Sequence, residues 1–410
     1  MRPYTLIQLG MHSDASDGGV DRYFWSLNQG FEEASINLDT RRFFFEKGTA
    51  QKTSGALGRA DLPLLQRLFL LRKHILRPPE YDPCRSVLAS HFALYALPVL
   101  QRNSKLTHVI HFHGPWAQES SLSGQGMLSV FTKKALEHVV YRTADAFITL
   151  SNAFRDLLIA NYNVVPSKVH VIPGAVNTAQ FQPADRVSAR ALLGWPQEQR
   201  IIFSIRRLVE RMGLQALIAA FASVAAKYPD VSLFIGGTGP LQDALRAQVR
   251  LLELEERIRM LGFVRESLLA THYQAANVSI VPSQSLEGFG FTTVESLACG
   301  TPVLVTPVGG LTEIVGPLAP SCILCGWSPE QIAEGLDDYL GGKMPLPAAA
   351  DCVAYVKKRF IWETVSKKVL AIYDDAFRAK HAGPRSICRM NILHEAHRFL
   401  PSRRRHRNCP

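Results

Sequence analysis

Two carboxylates, Glu287 and Glu295, stand with seven residues between them in the run S-L-E-G-F-G-F-T-T-V-E-S-L-A-C-G-T-P-V-L-V-T, residues 285–306. Glu287 falls in a glycine-rich loop and Glu295 in a short helix that Gly300 closes. Gly288 and Gly290 lack a Cβ, which predicts a ligand close to the backbone. The amides around Phe291 and Thr292 would open the helix, and a helix N-terminus attracts anions such as phosphate. A carboxylate nearby accepts hydrogen bonds from neighbouring hydroxyls, as on a ribose or a hexose. Phosphate at the helix end and hydroxyls at the acids together imply a sugar nucleotide.

Four further runs carry suitable chemistry. D-G-G-V-D-R-Y, residues 17–23, places Gly18 and Gly19 in a tight turn with free amides before a helix. H-F-H-G-P-W-A-Q-E-S, residues 111–120, puts His113 at a strand end, where imidazole can donate to or accept from hydroxyls. His111 and Glu119 are further candidates in that run. S-I-R-R-L-V-E-R-M-G-L, residues 204–214, offers arginines, whose fork pairs well with phosphate. I-G-G-T-G-P-L, residues 235–241, is a glycine loop after a strand, followed by L-G-F-V at 261–264.

From about Gly18 to about Tyr373 the chain resembles the family 4, or group 1, retaining glycosyltransferases, whose mark is E-x7-E. The resemblance implies that Glu295 holds the ribose and Glu287 the transferred sugar. It implies that His113 contacts the donor sugar and that Arg207 binds the diphosphate. By the same resemblance the Gly18–Gly19 loop approaches the diphosphate, and Gly239 and Val264 border the nucleotide. The chain departs from the family at Met212, which stands where lysine is usual before Gly213. Arg211, one residue earlier, is the candidate for the second charge. Gly290, Phe291 and Thr292 complete the expected donor site. No D-x-D motif is present, and the family needs no divalent metal, so the expectation is a reaction without metal or other cofactor.

The elements that must position these residues alternate. Strands are predicted over 5–9, 108–113, 146–150, 169–172, 201–205, 231–235, 257–261, 278–281 and 302–305, several of them apolar throughout, as in sheets buried on both faces. Helical periodicity covers 20–31, 214–227 and 241–252. This βα alternation predicts parallel, doubly wound sheets. The stretch 177–199, rich in Pro, Gln and Ala, reads as a linker between two Rossmann-like domains, 1–180 on the acceptor side and 198–359 on the nucleotide side. Ligands of such sheets lie beyond the strand carboxyl ends, so both domains should face one cleft. The resemblance gives this arrangement its name, GT-B, and adds a last helix crossing back to the first domain. The apolar stripe Phe360, Trp362, Val365, Val369 and Tyr373 fits that helix, about 360–378.

A chain of 410 residues with 47% hydrophobic and 20% charged residues fits two globular domains. Of the net charge of +11, residues 380–410 carry +7, a basic tail read as a solvated end rather than a nucleic-acid site. Seven scattered cysteines, with one C-x2-C at Cys322 and Cys325, fit reduced thiols and no zinc site. The start reads as an immediate first strand without a signal peptide's apolar core, so a cytoplasmic location is expected. Residues 62–77, apolar with interspersed Arg67, Arg72, Lys73 and Arg77, suit either a helix on the first sheet or one lying in a bilayer interface. The expected partners are a nucleotide diphosphate sugar, a glycan or lipid-linked acceptor and a membrane surface. The alternatives are a GT-B sugar-nucleotide epimerase and a silent sugar-nucleotide-binding protein.

Overall fold

The computed structural model describes residues 2–12, 18–46, 55–76, 82–100 and 105–382. The first seven strands are β1 (Thr5–His12), β2 (Thr40–Glu46), β3 (Ala56–Arg59), β4 (Ser86–Ser90), β5 (Thr107–Phe112), β6 (Ala146–Thr149) and β7 (Val169–Val171). They form one sheet in the order β3-β2-β1-β4-β5-β6-β7, all pairs parallel. The other five are β8 (Arg200–Ile205), β9 (Val231–Gly236), β10 (Ile258–Gly262), β11 (Val278–Val281) and β12 (Val303–Val305). These make a second parallel sheet, ordered β10-β9-β8-β11-β12. β1 and β8 lie inside their sheets, and their Leu6, Leu9, Ile201, Ile202 and Phe203 are fully buried. That burial on both faces is why the apolar runs show no alternation.

Each strand expected from the sequence is present within a residue or a few of its anticipated ends, and β2, β3 and β4 were not anticipated. β2 reads T-R-R-F-F-F-E, with only its last three residues buried. β4 is S-V-L-A-S, five buried residues between β1 and β5, too short for a periodic signal.

The stretch 177–199 is not a plain linker. Asp185 caps a helix, Arg186–Leu193, accepting from the Ser188 amide at 2.8 Å. The helix packs on the second domain's helix Glu266–Ala275. Buried Arg190 locks it there, donating to the Ala275 carbonyl at 2.9 Å and to Asn277 Oδ1 at 2.7 Å. With the carbonyls of Pro196 and Gln197, these make four acceptors for one guanidinium, which outweigh the local Pro and Gln content. The actual crossing point is narrower: the Val176 amide donates to the Phe360 carbonyl at 2.9 Å, so the outgoing and returning chains run side by side.

The last helix, Trp362–His381, returns to the first domain and packs on the helix Gly19–Glu33 and on β5. Buried Val365, Val369 and Tyr373 form its inward stripe. Lys380, counted with the basic tail from the sequence, belongs to this helix and pairs with Asp145 at 2.7 Å. Residues 383–410, the rest of that tail, lie outside the described residues. Cys322 is buried and Cys325 exposed, both as free thiols.

Candidate active site

Glu287 sits in the loop after β11 and is buried. Its carboxylate pairs with the guanidinium of Arg206, and the Ser283 hydroxyl donates to it at 2.8 Å. Arg206 also donates to Thr292 Oγ1 at 3.1 Å and to Ser283 Oγ at 2.9 Å, and it lies against Met212 Sδ at 2.7 Å. Its Nε has no partner among the described residues. Arg211 donates to the Leu286 carbonyl at 3.0 Å and pairs with Glu119 of the first domain at 3.2 Å. Burial alone would push the Glu287 carboxyl up, but Arg206, then Arg211 and the Ser283 hydroxyl, hold it below the usual range.

The cation paired with Glu287 is therefore Arg206, a residue not singled out from the sequence, while Arg207 is the arginine expected at the diphosphate. Arg207 is exposed. Successive side chains of an extended segment point to opposite sides. The Arg206 amide still donates to the Gly236 carbonyl at 3.1 Å, extending β8 by one residue, and its side chain turns inward over Met212. The doubled arginine beside a methionine in place of lysine was the available signal.

Glu295 is fully buried in the helix Phe291–Ala298. Tyr273 donates to it at 2.9 Å, and Arg22 from the first domain pairs with it while also reaching Glu266 at 2.9 Å. Burial raises the Glu295 pKa, with Arg22 and the Tyr273 hydroxyl opposing, and Arg22 itself is held firmly protonated, chiefly by Glu295. Arg22 was not singled out, although it lies in the 17–23 run. Gly18 precedes the helix Gly19–Glu33 with φ 150°, and a Cβ on Gly19 would stand 3.8 Å from Phe291. The N-termini of the two helices therefore meet across the cleft. Asp17 lies outside the described residues.

The glycines of the site also have a packing reason within the protein. A Cβ on Gly288 would come 2.6 Å from Phe154 of the first domain, and one on Gly290 would come 2.5 Å from Leu311. Both make room for protein side chains, and Gly290 also needs its φ of 83°. Gly239, with φ 158°, makes room for the Leu208 backbone, 2.5 Å from where its Cβ would be. Val264 lies against Gly236 at the ends of β9 and β10.

His113 follows β5 and is half-buried. Its Nε2 lies 3.2 Å from His91 Nδ1, and the Tyr23 ring meets it edge-on at 5.0 Å. Burial lowers its pKa to about 3, so it is neutral near pH 7. His111 bonds Tyr373 at 2.6 Å instead of reaching the cleft. His91, His111 and His113 are close enough to suggest a metal set. Their rings, however, stack within 12°, 19° and 15° of parallel. Imidazole lone pairs lie in the ring plane, so three stacked rings do not converge on one ion. The donor set does not fit a metal.

Two parallel α/β domains facing each other, with acids and arginines at the strand ends between them, define the GT-B class. Sucrose-phosphate synthase from Thermosynechococcus elongatus has this fold, with TM-score 0.73 and 21% identity over 92% of this chain and 100% of that one. So does the Anabaena protein HepE in complex with UDP-glucose, with TM-score 0.71 and 18% identity over 91% of this chain and 100% of that one. Residues 18–180 match the family described as Glycosyltransferase Family 4, and residues 185–359 the one described as Glycosyl transferases group 1. The chain belongs to the group 1 glycosyltransferases. Among its relatives, the D-inositol 3-phosphate glycosyltransferase of Segniliparus rotundus is 30% identical over 54% of this chain and 50% of that protein. The D-inositol 3-phosphate glycosyltransferase 1 of Catenulispora acidiphila is 29% identical over 75% of each. The chain thus matches half the length of the first and three quarters of the second.

Proposed function

We propose that this protein transfers a hexose-type sugar from a nucleoside diphosphate sugar to a hydroxyl acceptor, with retention of configuration. The observation that carries this reading is the buried Arg206–Glu287 pair beside Thr292, at the N-terminus of the helix that holds Glu295. The difficult part of such a transfer is the charge that develops on the departing diphosphate. Fixed cations and helix-end amides are the largest expected aid to it. Arg206 and Arg211 supply the charge, and the helices opening at Gly19 and Phe291 supply the amides. Glu295 accepts from the ribose hydroxyls and Glu287 from the sugar. Closure of the two domains excludes water, which would otherwise hydrolyse the donor.

UDP-sugars head the panel of donors because HepE carries UDP-glucose. D-inositol 3-phosphate heads the acceptors because the relatives' names specify it, followed by lipid-linked glycans. The test is incubation of the purified protein with donor and acceptor, with the anomeric configuration of the product read by NMR. Transfer with inversion overturns retention, and conversion of the donor without acceptor favours an epimerase. Met212 at the usual lysine favours a silent binder, which would show donor binding and no product on any acceptor. Arg206 lying over Met212 argues for a working enzyme. Transfer is expected to persist undiminished in excess EDTA, and its loss there would refute a metal-free reaction.

The surface also supports peripheral membrane contact. The helix Leu64–Ile75 buries Leu71 and Ile75 on the first sheet but leaves Leu65 and Phe69 exposed. The helix Met127–Tyr141 exposes Met127, Leu128 and Phe131, and both helices pack against the 93–99 segment. Arg72, Lys73, Lys133 and Lys134 flank these apolar residues. Basic and apolar residues on one face suit an anionic bilayer interface. No helix among the described residues is long and apolar enough to cross a membrane. Sedimentation with phosphatidylglycerol vesicles, lost in a Phe69→Asp, Phe131→Asp double variant, tests the contact.

A further inference from the structure

A line of buried polar groups runs from one backbone carbonyl to the cleft histidine, and its donors and acceptors can be assigned in order. Asn28 Nδ2 lies 2.7 Å from the Phe24 carbonyl oxygen, which can only accept. That contact fixes the Asn28 amide, so Asn28 Oδ1 faces Gln8 and accepts from Gln8 Nε2 at 2.9 Å. Gln8 Oε1 is then the acceptor turned toward His91 Nε2, 3.3 Å away. Acceptor meets donor, so His91 carries its proton on Nε2. Gln8, Asn28 and His91 are all buried, so no bulk water can reverse the order.

His91 is surrounded by His111, His113, Tyr23, Phe24 and Gln8. Burial and the two neighbouring histidines hold its pKa well below 6.5, so it stays neutral. A neutral His91 protonated on Nε2 has a bare Nδ1. His113 Nε2, at 3.2 Å, must donate to it. The proton of His113 is thus on Nε2, and its Nδ1 holds a lone pair. That Nδ1 has no protein partner among the described residues and is not sealed from solvent as His111 Nδ1 is.

We propose that His91 is a positioning residue that fixes His113 as a hydrogen-bond acceptor toward the cleft, so that His113 takes a hydroxyl hydrogen from the bound sugar and donates none. The tautomer follows from this domain alone. Its use on a sugar rests on the function proposed above. The Nδ1 lone pair selects a donor whose facing substituent is a hydroxyl, and a fluorine or a carbonyl oxygen there would meet it acceptor to acceptor.

Long-range 1H–15N spectra of the full chain with 15N-histidine decide the tautomer, with the His113 signals assigned from a His113→Asn variant. The expected result near neutral pH is a proton on Nε2 and a bare Nδ1. A proton on Nδ1, or on both nitrogens, overturns the proposal whether or not any activity is found. His91→Phe keeps an aromatic ring in the stack and removes both nitrogens. It is expected to give His113 a mixture of tautomers and to lower kcat about 10-fold, one hydrogen bond's worth, with donor KM changed by less than about 3-fold. An unchanged kcat with a scrambled His113 overturns the catalytic half. Should His91→Phe not fold, the spectrum of the unaltered protein, together with its turnover of 3-, 4- and 6-deoxyfluoro UDP-glucose, decides the same two points. One of the three is expected to be turned over at least about 10-fold more slowly than the others, and equal rates overturn the acceptor role. A proton on Nε2 with no transfer from any donor counts against the glycosyltransferase reading, not against the tautomer.

Discussion

Arg206 and Arg207 are neighbours in sequence, but only Arg206 brings its charge to Glu287. Replacing Arg207 by alanine is expected to leave both stability and transfer rate unaltered, within about 0.5 kcal/mol, as at most surface positions. Arg206→Ala is expected to lower kcat by about 100- to 1000-fold, the usual loss when one fixed donor to a developing charge is removed. It also leaves Glu287 buried without its cation, so the melting temperature should fall too. Steady-state kinetics and thermal unfolding of the two variants, side by side, give the answer, and equal losses would contradict the assignment. Glu295 makes a second test. Its carboxylate already meets Arg22 and Tyr273, so bound ribose must share or displace the Arg22 contact. Glu295→Ala should remove most of the rise in melting temperature that UDP gives, since ligand stabilisation follows affinity for the folded form. Both acids were legible in the sequence, because E-x7-E fixes them relative to a helix start. Arg22 and Arg206 were not, because their roles depend on a partner in the other domain and on which side of a strand end a residue faces.

The elements were legible where burial is two-sided. β8, β9 and β11 are largely apolar runs that can be read directly. β2 hides its strand character because four of its seven residues are only partly buried. The helix Arg186–Leu193 was missed because its buried polar anchor, Arg190, resembles a surface residue in sequence. The returning helix was visible as a stripe, but its closest contact was not. A Cβ on Gly30 would lie 3.0 Å from Trp362 Cβ, and Ser366 Oγ donates to the Gly30 carbonyl at 3.1 Å. The two helices touch there through the missing side chain. Gly30→Val is therefore expected to cost about 1–3 kcal/mol by overpacking, despite valine's advantage over glycine in backbone entropy. Urea denaturation gives the value, with the exposed neighbour Gln29→Ala as control. A variant as stable as the unaltered protein would show that the helix shifts without cost.

At the scale of the molecule, the returning helix meets the first domain over a cluster of uncharged histidines. His111 bonds Tyr373 of that helix, and its ring stacks on His91 at 4.2 Å. His108 lies on the same strand, with its two nitrogens at Ser90 and Thr143. Burial, then Lys380, lowers the His108 pKa to about 3, and burial lowers those of His91 and His111 well below 6.5. In the unfolded chain each regains a pKa near 6.5. Between the folded and unfolded values the unfolded state binds more protons, so stability rises with pH up to about 6.5 and is lost as pH falls below it. Each buried histidine contributes a slope of up to about 1.4 kcal/mol per pH unit in that window. Glu287, whose folded pKa is lowered, adds a loss in the same direction at lower pH. Glu295, whose folded pKa is raised, works oppositely, because its protonation favours the folded state. The three histidines outnumber it above pH 5. Unfolding free energy measured from pH 7.5 to pH 5 should thus be flat above about 6.5 and fall steeply below. His108→Gln, which keeps hydrogen-bonding capacity but does not titrate, should reduce the slope by one histidine's share. A profile flat to pH 5 would mean that these rings reach water when protonated, and that the returning helix yields locally to let them.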